Sequence, residues 1–453
     1  MATIGKIDKA FPVEWLTIPS ARSYIALMKW RNRLVALFCL LIFAAIGVLY
    51  FKHWVVQKPF GIILFIGEGL TPARIALTRI YTGGADARLA LESMPNCALL
   101  KNCSNDFAVP DQAAAATALA TGTRVNNRSI AIDANGKPLT SLLDLARAQS
   151  RLTGLVTDVR LTDATSAAFY AHGAAAGEDE NIARQFVETI KIDVAMGGGS
   201  AAFIPKTKGG TRRDERDLLL ELRRNGFEIV RTRVELEAVS RFRRPKLFGA
   251  FAAAELAFTN QINQRAEQPS LADMVRRAIE LLQYNPGGYL LVVDAGLMRK
   301  AAQNNNAERT LAETAELDRA VAVAQRYAGV RSTIIVCGDV AIGGLTLNGF
   351  PFRNDSGIAL LGLNAAGEPW LTWASGPKAA RSSRIAPLSA RNGAPEEEAG
   401  KPDAGYLEPA AVFARSALNT SEDMAACGAG PGASSLRGYI DNTDIFRIIR
   451  DEL

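Results

Sequence analysis

A chain of 453 residues, 48% apolar and 22% charged, is long enough for one large α/β domain or two ordinary ones, which excludes a disordered or fibrous protein. A net charge of +6 and a pI near 9.1 raise the question of nucleic acid, but aromatic residues are only 7% and no nucleic-acid module is legible, so no nucleic-acid partner is expected. The basic residues concentrate in Lys206–Lys246, thirteen Lys/Arg against seven Asp/Glu, and fall on the polar faces of short helices such as Asp214–Arg224, which reads as a solvated face.

In chain order, residues 1–33 are polar and basic, and Leu34–Phe51 follows as 18 uncharged residues, roughly 27 Å of helix and enough to cross a hydrocarbon core. No small-residue cleavage site follows Tyr50, so the segment reads as a single-pass signal anchor. The Lys/Arg bias before it places the N-terminus in the cytoplasm and the remainder in the periplasm or outside the cell. The expected organisation is a cytoplasmic tail over 1–33, a transmembrane helix over 34–51 and one domain over 59–453.

Gly61–Ile66 (GIILFI) is a continuous apolar run of buried parallel-strand type that ends in Gly67-Glu68-Gly69. A dinucleotide site is excluded there by Pro72 and by an acid between the glycines; a carboxylate at the carboxyl end of a strand is the better reading. Val109–Arg124 (VPDQAAAATALATGTR) reads as an extended lead turning into an alanine-rich helix capped by Asp111, with Gln112 first in the helix. Such an N-terminus favours anions.

Further on, Ser141–Ala148 reads as a helix, Thr153–Thr157 as a strand, and Leu161–His172 (LTDATSAAFYAH) leads into another helix. Asp193–Phe203 is a strand and glycine loop, Ser270–Leu282 an amphipathic helix, and Tyr289–Val293 a buried strand ending at Asp294. The long helix Asn306–Tyr327 precedes the strand Ser332–Val336 and Cys337-Gly338-Asp339-Val340, and Pro387–Asp403 is a charged Pro/Gly surface loop. Cys97 and Cys103 flank a strand-like run that would hold them about 20 Å apart, so a bridge between them needs a turn, while Cys337 and Cys427 read as single buried thiols.

These runs resemble, in order, the motifs of the alkaline phosphatase family. FIGEGL is similar to the family's F-I-G-D-G-M/L, with Glu68 in place of the Asp that bridges two metals. The 109–124 run resembles D-S-A-A-x-A-T-A-x-x-T-G and keeps Asp111, Ala113, Ala114, Ala116, Thr117, Ala118, Thr121 and Gly122, but Gln112 stands at the serine nucleophile. LTDATSAAFYAH resembles D/H-A-T/S-P-A-A-x-x-A-H, whose first residue and hydroxyl residue bind magnesium, and Asp163 and Thr165 match both. Asp163 also suits an N-cap. The family's phosphate-clamping arginine falls at Ala176, and His172 matches a structural position. VVDAGLMRKAAQ resembles V-E-G-x-x-I-D-x-x-x-H, placing Asp294 at a magnesium ligand and Arg299 and Gln303 at two zinc ligands. CGDV resembles T-A-D-H, keeping Asp339 and replacing the histidine by Val340, and NTSEDMAACGAGPGA puts Asn419 at the last zinc histidine.

The resemblance implies an α/β/α sandwich with a large, mostly parallel sheet, and a family homodimer or larger membrane-associated assembly. Zinc is not expected, since both zinc sites lose their imidazoles and the chain has two histidines, His53 and His172. Glu68, Asp163, Thr165 and Asp294 are hard oxygen donors suited to one Mg²⁺ or Ca²⁺. The competing account places the Arg299 guanidinium among Glu68, Asp339 and Asp111 in place of metal charge, with Gln112 donating to a carboxylate. The expected function is therefore a catalytically inactive or impaired pseudophosphatase acting as a binding or assembly subunit. Its rivals are a metal-dependent phosphoric monoester hydrolase in which Asp111 or Asp339 activates water, and a phosphate or phospholipid binder without turnover.

Overall fold

The computed structural model describes residues 21–50, 60–174, 178–241, 245–261, 267–349, 352–354, 357–363, 368–378 and 408–453. His53, Ala176 and the Pro387–Asp403 loop lie outside the described residues. The chain divides into two units, Met1–Lys58 and Pro59–Leu453.

The first unit contains helix α1, Ala21–Tyr50, which begins before the apolar run and takes in part of the basic flank. Its stretch Met28–Leu49 is long and apolar enough to cross a membrane, a property shared with signal sequences.

The second unit is built on ten strands, numbered here in chain order: β1 Gly61–Gly67, β2 Asn96–Lys101, β3 Leu152–Arg160, β4 Val194–Gly198, β5 Glu228–Val230, β6 Leu247–Ala250, β7 Tyr289–Ala295, β8 Thr333–Gly338, β9 Met424–Ala429 and β10 Arg437–Asp441. Their order across the sheet is β10-β2-β9-β8-β1-β7-β3-β4-β6-β5. All neighbours run parallel except β9, which is antiparallel to both β8 and β2.

Side chains alternate across a strand, so β1 divides its apolar run between two cores. Helix α2, Pro72–Gly83, follows β1 in the chain; Ile62, Leu64 and Ile66 pack in one cluster with Ala113, Ala116 and Leu119 of helix α3 (Gln112–Thr121) and with Ile445 and Ile449 of the C-terminal helix Asn442–Glu452. Ile63 and Phe65 pack on the other face with Leu271, Met274 and Val275 of Leu271–Leu282 and with Leu317 and Ala320 of Ala307–Tyr327. The result is the expected α/β/α sandwich, with β1 in the middle of a sheet buried on both faces.

Capping chemistry sets many helix boundaries. Ser141 and Ser270 form reciprocal capping boxes with Asp144 and Asp273, and Asn306 caps Ala307–Tyr327, each one residue before the helix itself. Two expected helices are shorter than their sequence suggests. Over Asp214–Arg224 only Leu218–Arg224 is helical, because Glu215 sits at φ 58 and Asp217 caps the later start. In Leu161–His172 only Ala164–Ala167 is α-helical, and the following turn is tied back by the Tyr170 hydroxyl donating to the Leu161 carbonyl at 2.8 Å.

Candidate functional site

The parallel strands deliver their acidic residues to one edge of the sheet. Glu68 follows β1, Asp294 is the penultimate residue of β7, Asp339 follows β8, and Asp158 lies near the end of β3. All four are buried, Glu68 and Asp294 completely. Open α/β sheets bind ligands at this carboxyl edge. The tight turn after β1 requires glycine: Gly69 has φ 84, and a Cβ there would lie 2.4 Å from Arg74 Nη1. That turn aims the Gly69 N–H at Asp339 Oδ1, 2.9 Å away.

Two short helices complete the corner. In α4, Ala164–Ala167, Asp163 is the N-cap and accepts from the Ala164 N–H at 2.9 Å. The second, α5, Leu297–Gln303, is begun by Asp158, whose Oδ1 accepts from the N–H groups of Gly296 at 2.7 Å and Leu297 at 3.0 Å. One turn into α5, the buried Arg299 donates through Nε to Glu68 and through Nη2 to Asp163 at 2.9 Å. Lys300 reaches Asp163 and Glu255, each at 3.2 Å, and Arg160 approaches Asp163 at 3.7 Å.

These cations sort the carboxyls. Burial alone would raise Asp163, but Arg299, Lys300 and Arg160 outweigh it and hold its carboxyl down at about 2. Asp294 has no cation in contact: burial, and then the neighbouring charges of Glu68 and Asp163, push it well above the carboxylate range. Its Oδ2 accepts from Ser166 Oγ at 2.8 Å and Thr157 Oγ1 at 3.1 Å. Asp339 is pushed up to about 7 by burial and then by Glu68. The Arg299 guanidinium opposes its own burial through Glu68 and Asp163, so its proton is held more tightly than usual.

Arg299 thus does enter the acidic corner, but its partners are Glu68 and Asp163 rather than the expected Asp339 and Asp111. Asp111 instead caps α3, accepting from Ala114 N–H at 2.9 Å and from Arg128 N–H at 2.7 Å. Nor does Gln112 donate to a carboxylate: its Nε2 lies 3.5 Å from Asn419 Oδ1, and the Asn419 amide donates to the Pro110 carbonyl at 2.9 Å. Val340 is buried and Gln303 half-buried, its carbonyl accepting from the Ala417 N–H at 2.9 Å. His172 turns Nδ1 to the Ala131 carbonyl at 2.9 Å, a structural contact.

Among the described residues, no three His, Cys, Asp or Glu side chains are arranged to hold a metal ion. Hydroxyl oxygens are further hard donors. Glu68 Oε1, Thr165 Oγ1, Asp294 Oδ1 and Asp339 Oδ2 are all buried and have no hydrogen-bond partner among the described residues. Three of these belong to the magnesium-type set, whereas the fourth member, Asp163, has its oxygens engaged by cations. These are hard oxygen donors of the kind that Mg²⁺ and Ca²⁺ take, and none of them is the imidazole or thiolate common in zinc sites.

Lys300, Arg160, Ser166 and Asn102 were not singled out from sequence. Lys300 adjoins Arg299 and Ser166 adjoins Thr165, so local proximity was the available signal; Asn102, whose side chain donates to the Asp339 carbonyl, offered none. A separate cavity of about 1110 Å³ lies at the opposite, amino-terminal ends of the strands, lined by Arg151, Leu152, Lys246 and Tyr284, and takes no part in this corner.

A central parallel strand with acids gathered at its carboxyl edge gives this α/β/α scaffold its candidate site. Residues 61–453 match the family model described as alkaline phosphatase. The tissue-nonspecific alkaline phosphatase of Gallus gallus is 30% identical over 434 residues, covering 83% of this chain and 81% of that protein. Alkaline phosphatase H of Pseudomonas aeruginosa is 28% identical, covering 88% and 86%. Among solved structures, the Thermus thermophilus alkaline phosphatase superposes with a TM-score of 0.68 at 25% identity, covering 88% of this chain and 92% of that one. The alkaline phosphatase of the Antarctic bacterium TAB5 gives 0.66 at 21%, a likeness of fold. The chain belongs to the alkaline phosphatase family.

Proposed function

We propose that this family member is catalytically inactive or severely impaired, and that it serves as a membrane-tethered binding or assembly subunit outside the cytoplasm. The observation that carries this reading is Arg299, whose guanidinium lies between Glu68 and Asp163 and supplies, from within the chain, positive charge that the family draws from metal ions. Two further features support it. The first residue of α3 is an amide, Gln112, which cannot form a phosphoseryl intermediate, and Asn419, Gln303 and Val340 offer no imidazole at the zinc positions implied by the resemblance. A homodimer is carried over from the family as part of the proposal.

The unpartnered oxygens of Glu68, Thr165 and Asp294 favour one second reading, a single Mg²⁺ held beside Arg299. Those residues would hold the ion, which would supply charge compensation; Asp339 or Asp111 would be left to act on water.

The deciding experiment is phosphomonoester hydrolysis by the full chain in detergent, with Zn²⁺ and Mg²⁺ added, beside Gln112→Ser. The expected result is no turnover by either folded protein. Sustained metal-dependent turnover by the unaltered chain, lost in Glu68→Ala, would overturn the inactive reading and install the hydrolase.

A further inference from the structure

Cys97 and Cys427, 330 residues apart in the chain, are direct partners in the antiparallel pairing of β2 with β9, flanked by Ala98 opposite Ala426 and Asn96 opposite Gly428. Their Sγ atoms lie 3.0 Å apart. Cys427 is therefore not the solitary buried thiol expected from sequence, and the sulfur facing Cys97 is not that of Cys103. Directly opposed residues on one face of an antiparallel pair bring their Cβ atoms close to the spacing a disulfide needs, so a bond forms through a shift of about 1 Å in the sulfurs, without moving the strands.

The two thiols differ in a way that orders the chemistry. Cys97 is exposed, whereas Cys427 is buried. Burial, and then the hydrogen bond with Cys97, raises the Cys427 thiol above its ordinary range. Cys97 is the thiol an external reagent meets first, and Cys427 stands behind it as the resolving thiol.

We infer that Cys97 and Cys427 form a disulfide across β2 and β9, installed by thiol–disulfide exchange. This rests on the reading that the domain lies outside the cytoplasm, where disulfides persist. The oxidant is a small-molecule disulfide or a disulfide-carrying oxidoreductase. The Cys97 thiolate attacks one sulfur of that disulfide, forming a mixed disulfide and expelling a thiolate. Cys427 then gives up its proton, its sulfur attacks Cys97 Sγ, and the second thiolate leaves and is protonated. Two protein thiols and one external disulfide become one protein disulfide and two external thiols.

The bond joins segments that deliver residues to the rim of the acidic corner. Immediately beyond β2 comes Asn102, which donates to the Asp339 carbonyl, and shortly before β9 comes Asn419, which donates to the Pro110 carbonyl. Crosslinking β2 to β9 pins both in the register that makes these contacts.

The test treats the full chain in detergent with oxidised glutathione, blocks remaining thiols with a maleimide, and maps the peptides by mass. The expected result is a Cys97–Cys427 linked peptide, lighter by two hydrogens than the separate thiol peptides, unchanged in Cys103→Ser and lost in Cys97→Ser. In Cys427→Ser, the expected species is Cys97 carrying one glutathione. Alkylation of both cysteines in the unaltered chain, or a bridge between Cys97 and Cys103, would overturn the inference. A parallel acid quench in cells, with protease added to membrane vesicles of known orientation, separates the two readings. A domain outside the cytoplasm with both thiols free sinks the disulfide. A cytoplasmic domain whose purified form still makes the bridge upholds the site and sinks the localisation.

Discussion

The acidic corner and the N-terminus of α3 solve the same problem differently. At the acidic corner, Glu68 and Asp163 are held by side-chain cations from α5, and the structure depends on net charge being balanced inside the protein. At the mouth of α3, Asp111, Gln112 and Asn419 are held by backbone N–H groups, a backbone carbonyl and one long amide contact. A buried ion pair is costly to break because the surviving charge has no partner, whereas a cap or an amide contact at a half-open rim costs little to lose. The corner is thus the brittle side, and the mouth the tolerant one.

The largest effect follows from removing the cation. Arg299→Met leaves Glu68 buried without a counter-charge and is expected to destabilise the domain by about 3–5 kcal/mol in urea unfolding, with Asp163 partly cushioned by Lys300. Adding Glu68→Gln should recover part of that loss. If the double variant is as unstable as the single one, Arg299 is not acting as the counter-charge of Glu68.

The pH profile sharpens the same contrast within the corner. Asp339 is raised from 3.8 to about 7, so the folded state holds its proton more tightly, and stability falls as pH rises from about 4 to about 7. Asp163 is lowered to about 2, so its contribution is fully present above 3.8 and is lost as pH falls through that window. Stability should therefore peak near pH 4, with a slope of up to about 1.4 kcal/mol per pH unit above it for each such proton. Asp339→Asn should make the alkaline limb shallower, leaving the part that the raised Asp294 carboxyl contributes, and leave the acid limb in place. Millimolar Mg²⁺ should not alter the profile; if it removes the alkaline limb, a cation has taken over the carboxyls and Arg299 is not sufficient.

Much of this was legible because it is local. The apolar run of β1, the helices expected from Ser141, Ser270 and Asn306, each of which begins one residue later, and the acids at the ends of β1, β7 and β8 depend on neighbours a few residues away. Asp163 shows the limit: magnesium ligand and N-cap were its two sequence readings, and the structure adds a partner that neither included, one oxygen accepting from both Ala164 N–H and Arg299 Nη2. What was not legible is non-local. The partners of Arg299 depend on how α5 sets its side chain across the ends of β1 and β3, and the pairing of Cys97 with Cys427 depends on a register 330 residues apart. Periodicity carries no information about either.

On the tolerant side, Asp111→Ala removes the α3 cap and the acceptor of the Arg128 N–H, and is expected to cost about 1–2 kcal/mol. A loss as large as that of Arg299→Met would erase the distinction between the two sides.

The smallest effect should come from Gln112→Ser, although it alters the residue that the family resemblance places at the nucleophile. Gln112 is the first residue of α3, where the backbone N–H has no helical partner, and among the described residues its side chain makes only the 3.5 Å contact with Asn419. Serine is well tolerated there and the neighbouring cap remains, so stability should change by no more than about 0.5 kcal/mol. A hydroxyl restored at that point still lies beside Asn419, and Arg299 remains paired with Glu68 and Asp163. If serine alone revived hydrolysis, the positive charge that Arg299 brings to the corner would have to be sufficient for the reaction, and the mouth, not the corner, would have been the element that silenced the site.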